Sequence, residues 1–452
     1  MPARERLVII GSDAAGMSAA AQARRRRDRD QLEIVVFDRG RYTSWSSCGL
    51  PYYVGDLVHD TDALIARTPE EHRASGVDVQ LEHEVVGIDR EAGVLHVRGP
   101  DGDRDEPFDQ LVIATGAIPV RPEVPGSEAP GIHGIQTIGD GIALRGEVDA
   151  GASRAVVVGA GYIGLEMAEA LHRRGLQVCV IDRSPQPMNT LDTDMGALVA
   201  DAIRALGIEL HLGVEVEAFD IAADGRVHAV QTAAGRFPAD IVVLGLGVTP
   251  ASAVASDAGL AVGETGGIVT DPRMETSGEG IWAAGDCVEV FHRVSRRPAA
   301  IALGTHANKQ GRVAGINATG GSREFPGVVG TAVTKLCEYE VARTGLTEHE
   351  ASEAGFAAVA TKIESTNRAR YYPGSAPITV KIVAEQTTGR LLGAQVIGRE
   401  GAAKRIDVLA VAIWNEMTAD DFSAVDLGYA PPFSPVFDPT LVAAHEVGKL
   451  VT

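Results

Sequence analysis

Short runs of largely apolar residues recur along the chain, and each ends at a glycine or an acidic residue. Residues 6–10 and 31–37 form a first pair of such runs, and residues 155–158 and 178–181 form a second pair. Short apolar runs with these boundaries are typical of strands that are buried on both faces of a parallel sheet. Between the members of each pair the sequence favours a helix. The chain therefore predicts the same strand–helix–strand unit twice.

A glycine-rich turn follows the first strand of each unit. The turns are Gly-Ser-Asp-Ala-Ala-Gly at 11–16 and Gly-Ala-Gly-Tyr-Ile-Gly at 159–164. The first glycine of such a turn allows a tight bend, the second lets the backbone approach a pyrophosphate, and the third lets the helix pack on the strand. Asp38 and Asp182 end the second strands, where an acid binds a ribose hydroxyl. Both units are expected to bind dinucleotides, although Asp13 replaces the middle glycine of the first turn.

Three later apolar runs add strands to these units. Residues 111–116 and 241–247 each follow a polar, hairpin-rich stretch and end in a glycine turn. Residues 281–286 form a shorter run that ends at Asp286. An acid just past the end of a parallel strand lies where such sheets bind ligands, so Asp286 is a candidate cofactor contact.

The pattern changes from about Phe325 onwards, where no further glycine fingerprint occurs. The elements predicted there are strands at 378–383 and 391–397 and a helix at 404–416. A chain of 452 residues is long enough for roughly three domains. We therefore predict a third domain of the α+β class.

Composition and charge exclude several classes of function. The net charge of −20 opposes binding to nucleic acid or to an anionic membrane surface. No apolar stretch is long enough to span a bilayer, and the N-terminal run is too short for a signal peptide. The four cysteines are far apart without a Cys-x-x-Cys pair, which argues against a metal site and a disulfide framework. We expect a reduced, cytoplasmic protein.

Together these features resemble the pyridine nucleotide-disulfide oxidoreductase family of flavoproteins. The resemblance implies an α/β fold with two Rossmann-like dinucleotide-binding domains and a C-terminal α+β dimerisation domain. The domain boundaries that the resemblance implies are 1–118 and 268–324 for the FAD domain, 119–267 for the NAD(P) domain and 325–452 for the dimerisation domain. The residues implied to contact FAD or NADH/NADPH are Gly11, Ala14, Ala15, Gly16, Asp38, Arg39, Ser47, Val85, Ala114, Thr115, Gly116, Asp286, Gly159, Gly161, Ile163, Gly164, Glu166, Asp182, Arg183 and Gly247.

The segment around Cys48 resembles the single-cysteine branch of this family. Ser44-x-x-x-Cys48-Gly-Leu-Pro-Tyr-Tyr53 is similar to coenzyme A-disulfide reductases, and Tyr53 stands where the two-cysteine reductases carry their second cysteine. Peroxidase and oxidase members carry a histidine at the fourth position of the first glycine turn, where this chain has Ala14. The resemblance therefore disfavours peroxide and oxygen chemistry and leaves Cys48 as the nucleophile. If Pro51 opens a helix, its dipole should increase the thiolate fraction of Cys48.

Two aromatic segments near the end of the chain resemble the family's active-site tyrosines. Gly428-Tyr-Ala-Pro-Pro-Phe-Ser434 implies that Tyr429 reaches the other subunit's active site and donates a proton to a leaving thiolate. Arg370-Tyr-Tyr-Pro-Gly374 holds the second tyrosine, for which we favour Tyr371 over Tyr372. The family's active form is a homodimer with its sites shared between subunits.

Several residues have both a structural and a functional interpretation. The basic run at 24–27 fits a solvated helix end, but Arg27, with Ser44 and the other subunit's Arg312, is also a candidate contact for coenzyme A. Glu166 fits either a favourable charge at a helix N-terminus or the family's glutamate near the nicotinamide. Asp182 favours binding of NADH, because it bonds a free 2'-hydroxyl, whereas Arg183 would accommodate the 2'-phosphate of NADPH.

The leading hypothesis is a homodimeric FAD enzyme that uses NAD(P)H to reduce coenzyme A disulfide through Cys48. An NAD(P)H-dependent coenzyme A-persulfide or polysulfide reductase is the first alternative, and the end of the sequence at Thr452 leaves no room for an appended sulfurtransferase domain. A water-forming NADH oxidase is the second. A non-catalytic flavin redox sensor is the hypothesis from a different class, against which Cys48 and the tyrosine motifs argue.

Overall fold

The computed structural model describes residues 4–452 and has the secondary structure that the glycine turns and apolar runs predict. The strands are β1 Glu5–Ile10, β2 Leu32–Phe37, β3 Asp78–Gln80, β4 Glu84–Asp89, β5 Val94–Gly99, β6 Gly102–Pro107, β7 Gln110–Ile113, β8 Ala117–Pro119, β9 Ile132–Gly134, β10 Arg154–Val158, β11 Gln177–Asp182, β12 Glu209–Leu212, β13 Val216–Ile221, β14 Val227–Thr232, β15 Gly235–Pro238, β16 Ile241–Leu244, β17 Val248–Pro250, β18 Ile281–Ala283, β19 Val290–His292, β20 Arg297–Ala299, β21 Ala332–Leu336, β22 Tyr339–Gly345, β23 Ala358–Thr366, β24 Pro377–Glu385 and β25 Leu391–Gly398.

The α-helices follow the same chain order. They are α1 Ala14–Arg26, α2 Leu50–Val54, α3 Pro69–Ala74, α4 Ile138–Asp149, α5 Tyr162–Arg173, α6 Thr193–Ala205, α7 Ala253–Asp257, α8 Gly304–Asn317, α9 Glu348–Glu353, α10 Ile406–Trp414, α11 Ala419–Ser423 and α12 Pro439–Gly448. Short 3₁₀ helices span Ser47–Gly49, Thr61–Leu64 and Ala403–Arg405. None of the helices within residues 4–452 is long and apolar enough to cross a membrane.

The first glycine turn lies at the centre of a parallel sheet with the order β18-β7-β1-β2-β3. β18 pairs in parallel with β7, so a strand from residues 281–283 completes a sheet that begins at residue 5. The sequence predicted both runs as buried strands. The polar stretch before β7 forms the antiparallel sheet β4-β5-β6, in agreement with its hairpin-rich pattern.

The second glycine turn occupies the equivalent place in the sheet β12-β11-β10-β16-β9. Its strands are also parallel, and the antiparallel sheet β13-β14-β15 precedes β16 in sequence. Carboxyl ends of neighbouring parallel strands meet at one edge of a sheet, so each glycine turn lies beside the acid that ends the next strand. The two units are therefore copies of one architecture.

The C-terminal part of the chain forms an antiparallel sheet with the order β21-β22-β25-β24-β23. Helices α10, α11 and α12 pack against it around a core that includes Leu391, Val396 and Phe422. The predicted helix at 404–416 divides into a 3₁₀ turn and α10. The predicted fold class, two Rossmann-like units and a C-terminal α+β unit, is confirmed.

Candidate active site

The turn at residues 11–16 has the geometry that a dinucleotide pyrophosphate requires. Gly11 has a φ of +102°, which favours glycine, and its N–H donates to the Phe37 carbonyl at 2.8 Å. A Cβ atom on Gly16 would lie 1.9 Å from the Gly11 carbonyl oxygen, so only glycine allows α1 to approach this closely. The Asp38 carboxylate accepts the Ser12 N–H at 2.7 Å. The end of β2 therefore fixes the turn.

The turn at residues 159–164 repeats this arrangement. Gly159 has a φ of +106°, and a Cβ atom on Gly164 would lie 1.9 Å from the Gly159 carbonyl oxygen. The Asp182 carboxylate accepts N–H groups from Ala160 at 2.5 Å and from Ser184 at 2.7 Å. Because each carboxylate oxygen has two lone pairs, these bonds leave capacity for a ribose hydroxyl. A Cβ atom on Gly161 would meet no atom within 4 Å, so the backbone there is open to a ligand.

Asp286 and the residues after β7 surround the first turn. A Cβ atom on Gly11 would lie 2.1 Å from the Ala114 carbonyl oxygen, which shows how closely the two segments pack. The Thr115 hydroxyl donates to the Ala251 carbonyl at 2.6 Å, and Gly116 has a φ of +71°. Burial raises the pKa of Asp286, and a hydrogen bond from the Leu303 N–H partly offsets this rise.

The other predicted cofactor residues lie on the same turns or beside them. Ala14 and Ala15 begin α1, Ile163 lies in the first turn of α5, Ser47 opens the 3₁₀ turn before α2, Val85 lies in β4, Gly247 follows β16, and Arg39 and Arg183 are exposed directly after Asp38 and Asp182.

Cys48 lies in the 3₁₀ turn Ser47–Gly49, directly before α2. It is an exposed, free thiol, and Pro51 stands in the first turn of α2 as the sequence predicted. Desolvation by the surrounding protein raises the pKa of the Cys48 thiol, and the negative charge of Glu166 raises it further. The sequence predicted that a helix dipole would increase the thiolate fraction of Cys48. This prediction is wrong, because α2 has only five residues and the Glu166 carboxylate raises the pKa of the thiol.

Ser44 is held in a left-handed conformation by three hydrogen bonds. Its φ is +49°, its N–H donates to the Ser12 carbonyl at 2.9 Å, and its carbonyl accepts the Ala66 N–H at 2.7 Å. Its hydroxyl is hydrogen-bonded to Nε2 of the buried His72 at 2.9 Å. Nothing in the sequence indicated His72, because a histidine in a short helix more than twenty residues away belongs to no motif.

Glu166 joins α5 to the C-terminal sheet. The Thr334 hydroxyl on β21 donates to its carboxylate at 2.9 Å, while burial raises its pKa. Burial and the Glu166 charge also raise the pKa of Tyr52. Glu166 therefore lies close enough to the Cys48 segment for its charge to act on Cys48 and Tyr52.

Tyr371 and Tyr429 lie together on an exposed surface of the C-terminal unit. Desolvation, the Tyr429 charge and a hydrogen bond to Tyr429 raise the pKa of Tyr371. Tyr371 is 78% exposed and Tyr429 49%, and the nearby Phe433 and Phe437 are 75% and 74% exposed. A single chain therefore presents both candidate tyrosines on an aromatic surface that a second subunit can cover.

The arginines at 24–27 have structural partners within the chain. Arg27 pairs with Glu5 at 2.7 Å, Arg26 donates to the Thr319 hydroxyl at 3.0 Å, and Arg24 donates to the Gly76 carbonyl at 2.8 Å. These contacts favour the structural interpretation of the run. Arg312 is exposed on α8.

Cys179, Glu209 and His211 form a group that the sequence did not indicate. One potential ligand atom from each lies within 4.8 Å of the others, on the neighbouring strands β11 and β12. The His211 ring is already hydrogen-bonded to Glu209 at 2.6 Å and packs edge-on against Phe237. The predicted lack of a metal rested on spacing along the chain, which does not detect residues that pair across strands.

Comparison with known proteins decides the family. Residues 5–311 match the family model described as pyridine nucleotide-disulphide oxidoreductase, and residues 331–440 match the dimerisation domain of the same family. The chain belongs to the pyridine nucleotide-disulphide oxidoreductases. It is an NAD(P)H-dependent flavoprotein of that family, and the first and second glycine turns fit the two dinucleotides that it uses.

Several relatives of this oxidoreductase along its whole length are named for sulfur compounds, and one at 34% identity, from Methanocaldococcus jannaschii, is named an NADH oxidase. An NAD(P)H sulfur oxidoreductase (CoA-dependent) from Pyrococcus furiosus is 37% identical over 98% of this chain and 99% of its own. An NAD(P)H coenzyme A polysulfide/persulfide reductase from Pyrococcus horikoshii is 36% identical over 98% of both chains. A coenzyme A disulfide reductase from Staphylococcus epidermidis is 30% identical over 95% of this chain and 96% of its own.

Solved structures of similar oxidoreductases have the same fold. An NAD-dependent persulfide reductase from A. fulgidus superimposes with a TM-score of 0.95 and 38% identity, covering 98% of this chain and 83% of its own. A water-forming NADH oxidase from Lactobacillus brevis, bound to NADH, gives a TM-score of 0.94 and 28% identity over 99% of both chains. The fold alone therefore does not separate sulfur reduction from oxygen reduction.

Replacing Glu166 by glutamine should lower the pKa of Cys48 and speed its alkylation, because the Glu166 charge opposes thiolate formation. We expect the iodoacetamide rate at about pH 8 to rise roughly threefold. Mass spectrometry of the Cys48 peptide in a Cys337→Ser background measures it. Glu169→Gln on the same helix is the matched control, and equal rates in the two variants would contradict the role given to Glu166.

Proposed function

We propose that this flavoprotein reduces the sulfur–sulfur bond of coenzyme A disulfide, with Cys48 as the attacking thiolate. The observation that carries the proposal is the exposed Cys48 without a cysteine partner, since Cys179 and Cys287 are buried and Cys337 lies in the turn between β21 and β22. A lone nucleophilic thiol requires that the substrate bring the second sulfur. The exposed position of Cys48 directly before α2 supports the assignment.

The reaction balances in two steps. The Cys48 thiolate attacks one sulfur of the substrate disulfide, which forms a Cys48–S–S–CoA bond and releases the first coenzyme A thiolate. FAD, when bound at the first glycine turn, supplies the two electrons that it takes as a hydride from NAD(P)H. Those electrons cleave the mixed disulfide, which regenerates the Cys48 thiolate and releases the second coenzyme A thiolate.

The second subunit contributes the acid in this proposal. Tyr429, close to Tyr371 on the exposed aromatic surface, donates its proton to the first leaving thiolate in the partner's site. The match to a dimerisation domain at 331–440 supports a homodimer in which each site needs both chains. Arg27, Arg312 and Ser44 are proposed to line the path of the coenzyme A phosphates and thiol.

Coenzyme A persulfide is the second candidate substrate. The relatives at 36% and 37% identity are named for CoA-dependent sulfur and persulfide reduction, whereas the coenzyme A disulfide reductase is 30% identical. The same attack by Cys48 on the sulfur attached to coenzyme A serves both substrates. Ala14, in place of a histidine, disfavours the oxidase alternative.

A comparison of three acceptors tests the proposal. NADH oxidation by the purified holoenzyme is followed with coenzyme A disulfide, with coenzyme A persulfide and with dissolved oxygen as the sole acceptor. The proposal predicts that both sulfur substrates exceed oxygen in kcat/KM. Oxygen turnover that exceeds both would support the oxidase, and flavin reduction without turnover of any acceptor would support a sensor.

Asp182 should control the choice between NADH and NADPH. Its carboxylate lies at the end of β11, where a 2'-phosphate would be repelled, while the adjacent Arg183 attracts that phosphate. We expect Asp182→Ala to raise the KM for NADH about tenfold and to lower that for NADPH. Asp201→Ala on the exposed side of α6 is the control, and unchanged KM values for both nucleotides in Asp182→Ala would contradict the assignment.

A further inference from the structure

Asp13 stands where the first fingerprint turn would otherwise have a glycine. It is the residue before α1, with φ of −109°, and its carboxylate is faced by the backbone N–H groups of Ala14 and Trp45. The second glycine of such a turn is the point at which the backbone approaches the pyrophosphate. An acidic side chain there is opposed to the charge of the cofactor that the turn is built to hold.

The neighbours of Asp13 locate it along the cofactor site. The charged groups that face it are Asp38, at the end of β2, and Asp286, after β18. In this fold Asp38 lies at the ribose end of a bound dinucleotide, and Asp286 lies at the flavin side of the pyrophosphate. The Ser12 N–H donates to Asp38 at 2.7 Å, and a Cβ atom on Gly285 would lie 3.0 Å from the Ala15 Cβ atom. Asp13 stands between Ser12 and Ala15 in the turn, so its place is between Asp38 and the Asp286 segment, where the pyrophosphate is expected.

Burial and these two acids change the protonation of Asp13. Desolvation is the largest cause, followed by the Asp38 charge, and together they raise its pKa from 3.8 to about 6. An acid with a raised pKa is neutral below that value and charged above it. A pyrophosphate placed beside the carboxyl disfavours its charged form further, so the pKa must rise again in the complex.

We propose that Asp13 takes up a proton when FAD binds and, as a neutral acid, donates its O–H to the pyrophosphate. FAD is then held tightly at acidic pH and loosened as pH rises, since the free protein must first gain a proton. The inference rests on FAD binding in this family and is independent of the sulfur substrate. Its test needs neither Cys48 nor a sulfur acceptor, so it fails or succeeds separately from the proposed function.

Dissociation of FAD from the full-length holoenzyme tests this proposal. Released FAD is measured by its fluorescence after dilution at a series of pH values, against free FAD standards at each pH. Above about pH 6 we expect the Kd to increase by close to tenfold per pH unit until the pKa of the complex is reached. Asp13→Asn keeps the shape of the side chain but has no titrating proton, so its Kd should not change with pH. Asp101→Asn, in the exposed turn between β5 and β6, should retain the wild-type profile.

A second readout measures the proton itself. Release of FAD from the wild-type holoenzyme near pH 7 in weak buffer should release close to one proton per FAD, detected with an indicator dye, and the release should be absent in Asp13→Asn. Asp13→Gly restores the common residue and should also lose the pH dependence if Asp13→Asn does not fold. A pH-independent Kd in the wild type, or an unchanged pH profile in both variants, would overturn the proposal.

Discussion

Cys48→Ser should lose sulfur-substrate reduction by at least about 10³-fold in kcat/KM while NADH still reduces the flavin. A serine hydroxyl at this position is a far weaker nucleophile than a thiolate, and no other described cysteine lies in the segment before α2. The proposed site for the nicotinamide dinucleotide at the second glycine turn does not need the sulfur. Stopped-flow absorbance of the flavin and steady-state NADH oxidation measure the two steps on one preparation.

Cys337→Ser is the control for this experiment. Cys337 is less buried than Cys179 and Cys287, but it lies in the turn between β21 and β22. It should keep wild-type rates in both assays. Full disulfide reduction by Cys48→Ser would contradict the mechanism, and loss of flavin reduction in that variant would show damage to the cofactor site instead.

Lys381→Met should cause the largest loss of stability among single substitutions of charged side chains. Lys381 Nζ on β24 lies 3.2 Å from Asp192 and 2.7 Å from Asp194, and it also pairs with Glu348, while only 6% of its side chain is exposed. Its removal leaves the buried Asp192 carboxylate without a cation, which costs about 3 kcal/mol. For a chain of this length we expect Tm to fall by about 3 °C.

Lys404→Met is the matched control for the stability experiment. Lys404 is 80% exposed and pairs with Asp407, so its loss should change stability by less than about 0.5 kcal/mol. Thermal unfolding of both holoenzyme variants is followed by circular dichroism. Adding Asp192→Asn to Lys381→Met should recover part of the loss, because it removes the unpaired charge. Equal Tm values for Lys381→Met and Lys404→Met would contradict this account.

The two glycine turns and the strands around them could be predicted from the sequence because their determinants are local. Gly11, Gly16, Gly159 and Gly164 impose the turn and the close helix contact within a few residues. The apolar runs could be recognised as buried parallel strands for the same reason, since their pattern lies within a few consecutive residues. The positions of the Asp38 and Asp182 carboxylates could be predicted as well, because each acid ends the strand beside its glycine turn.

The parts of the site that the sequence missed depend on contacts between distant segments. The hydrogen bond between Ser44 and His72 joins the Cys48 segment to a short helix. The pKa of Cys48 is governed by desolvation and by Glu166, which comes from the second dinucleotide unit. Neither contact has a spacing signal in one chain, so the sequence did not show that these groups oppose thiolate formation at Cys48, and Cys48 as the nucleophile stays a prediction.

Identification of the adduct tests the central claim most directly. The oxidised holoenzyme is mixed with one equivalent of coenzyme A disulfide per subunit in the absence of NAD(P)H, and both the protein mass and the released thiol are measured. The proposal predicts one coenzyme A attached through Cys48, one free coenzyme A thiol per subunit, and removal of the adduct by NADH. A protein that releases no thiol, or that carries coenzyme A on Cys337 with Cys48 free, would contradict it.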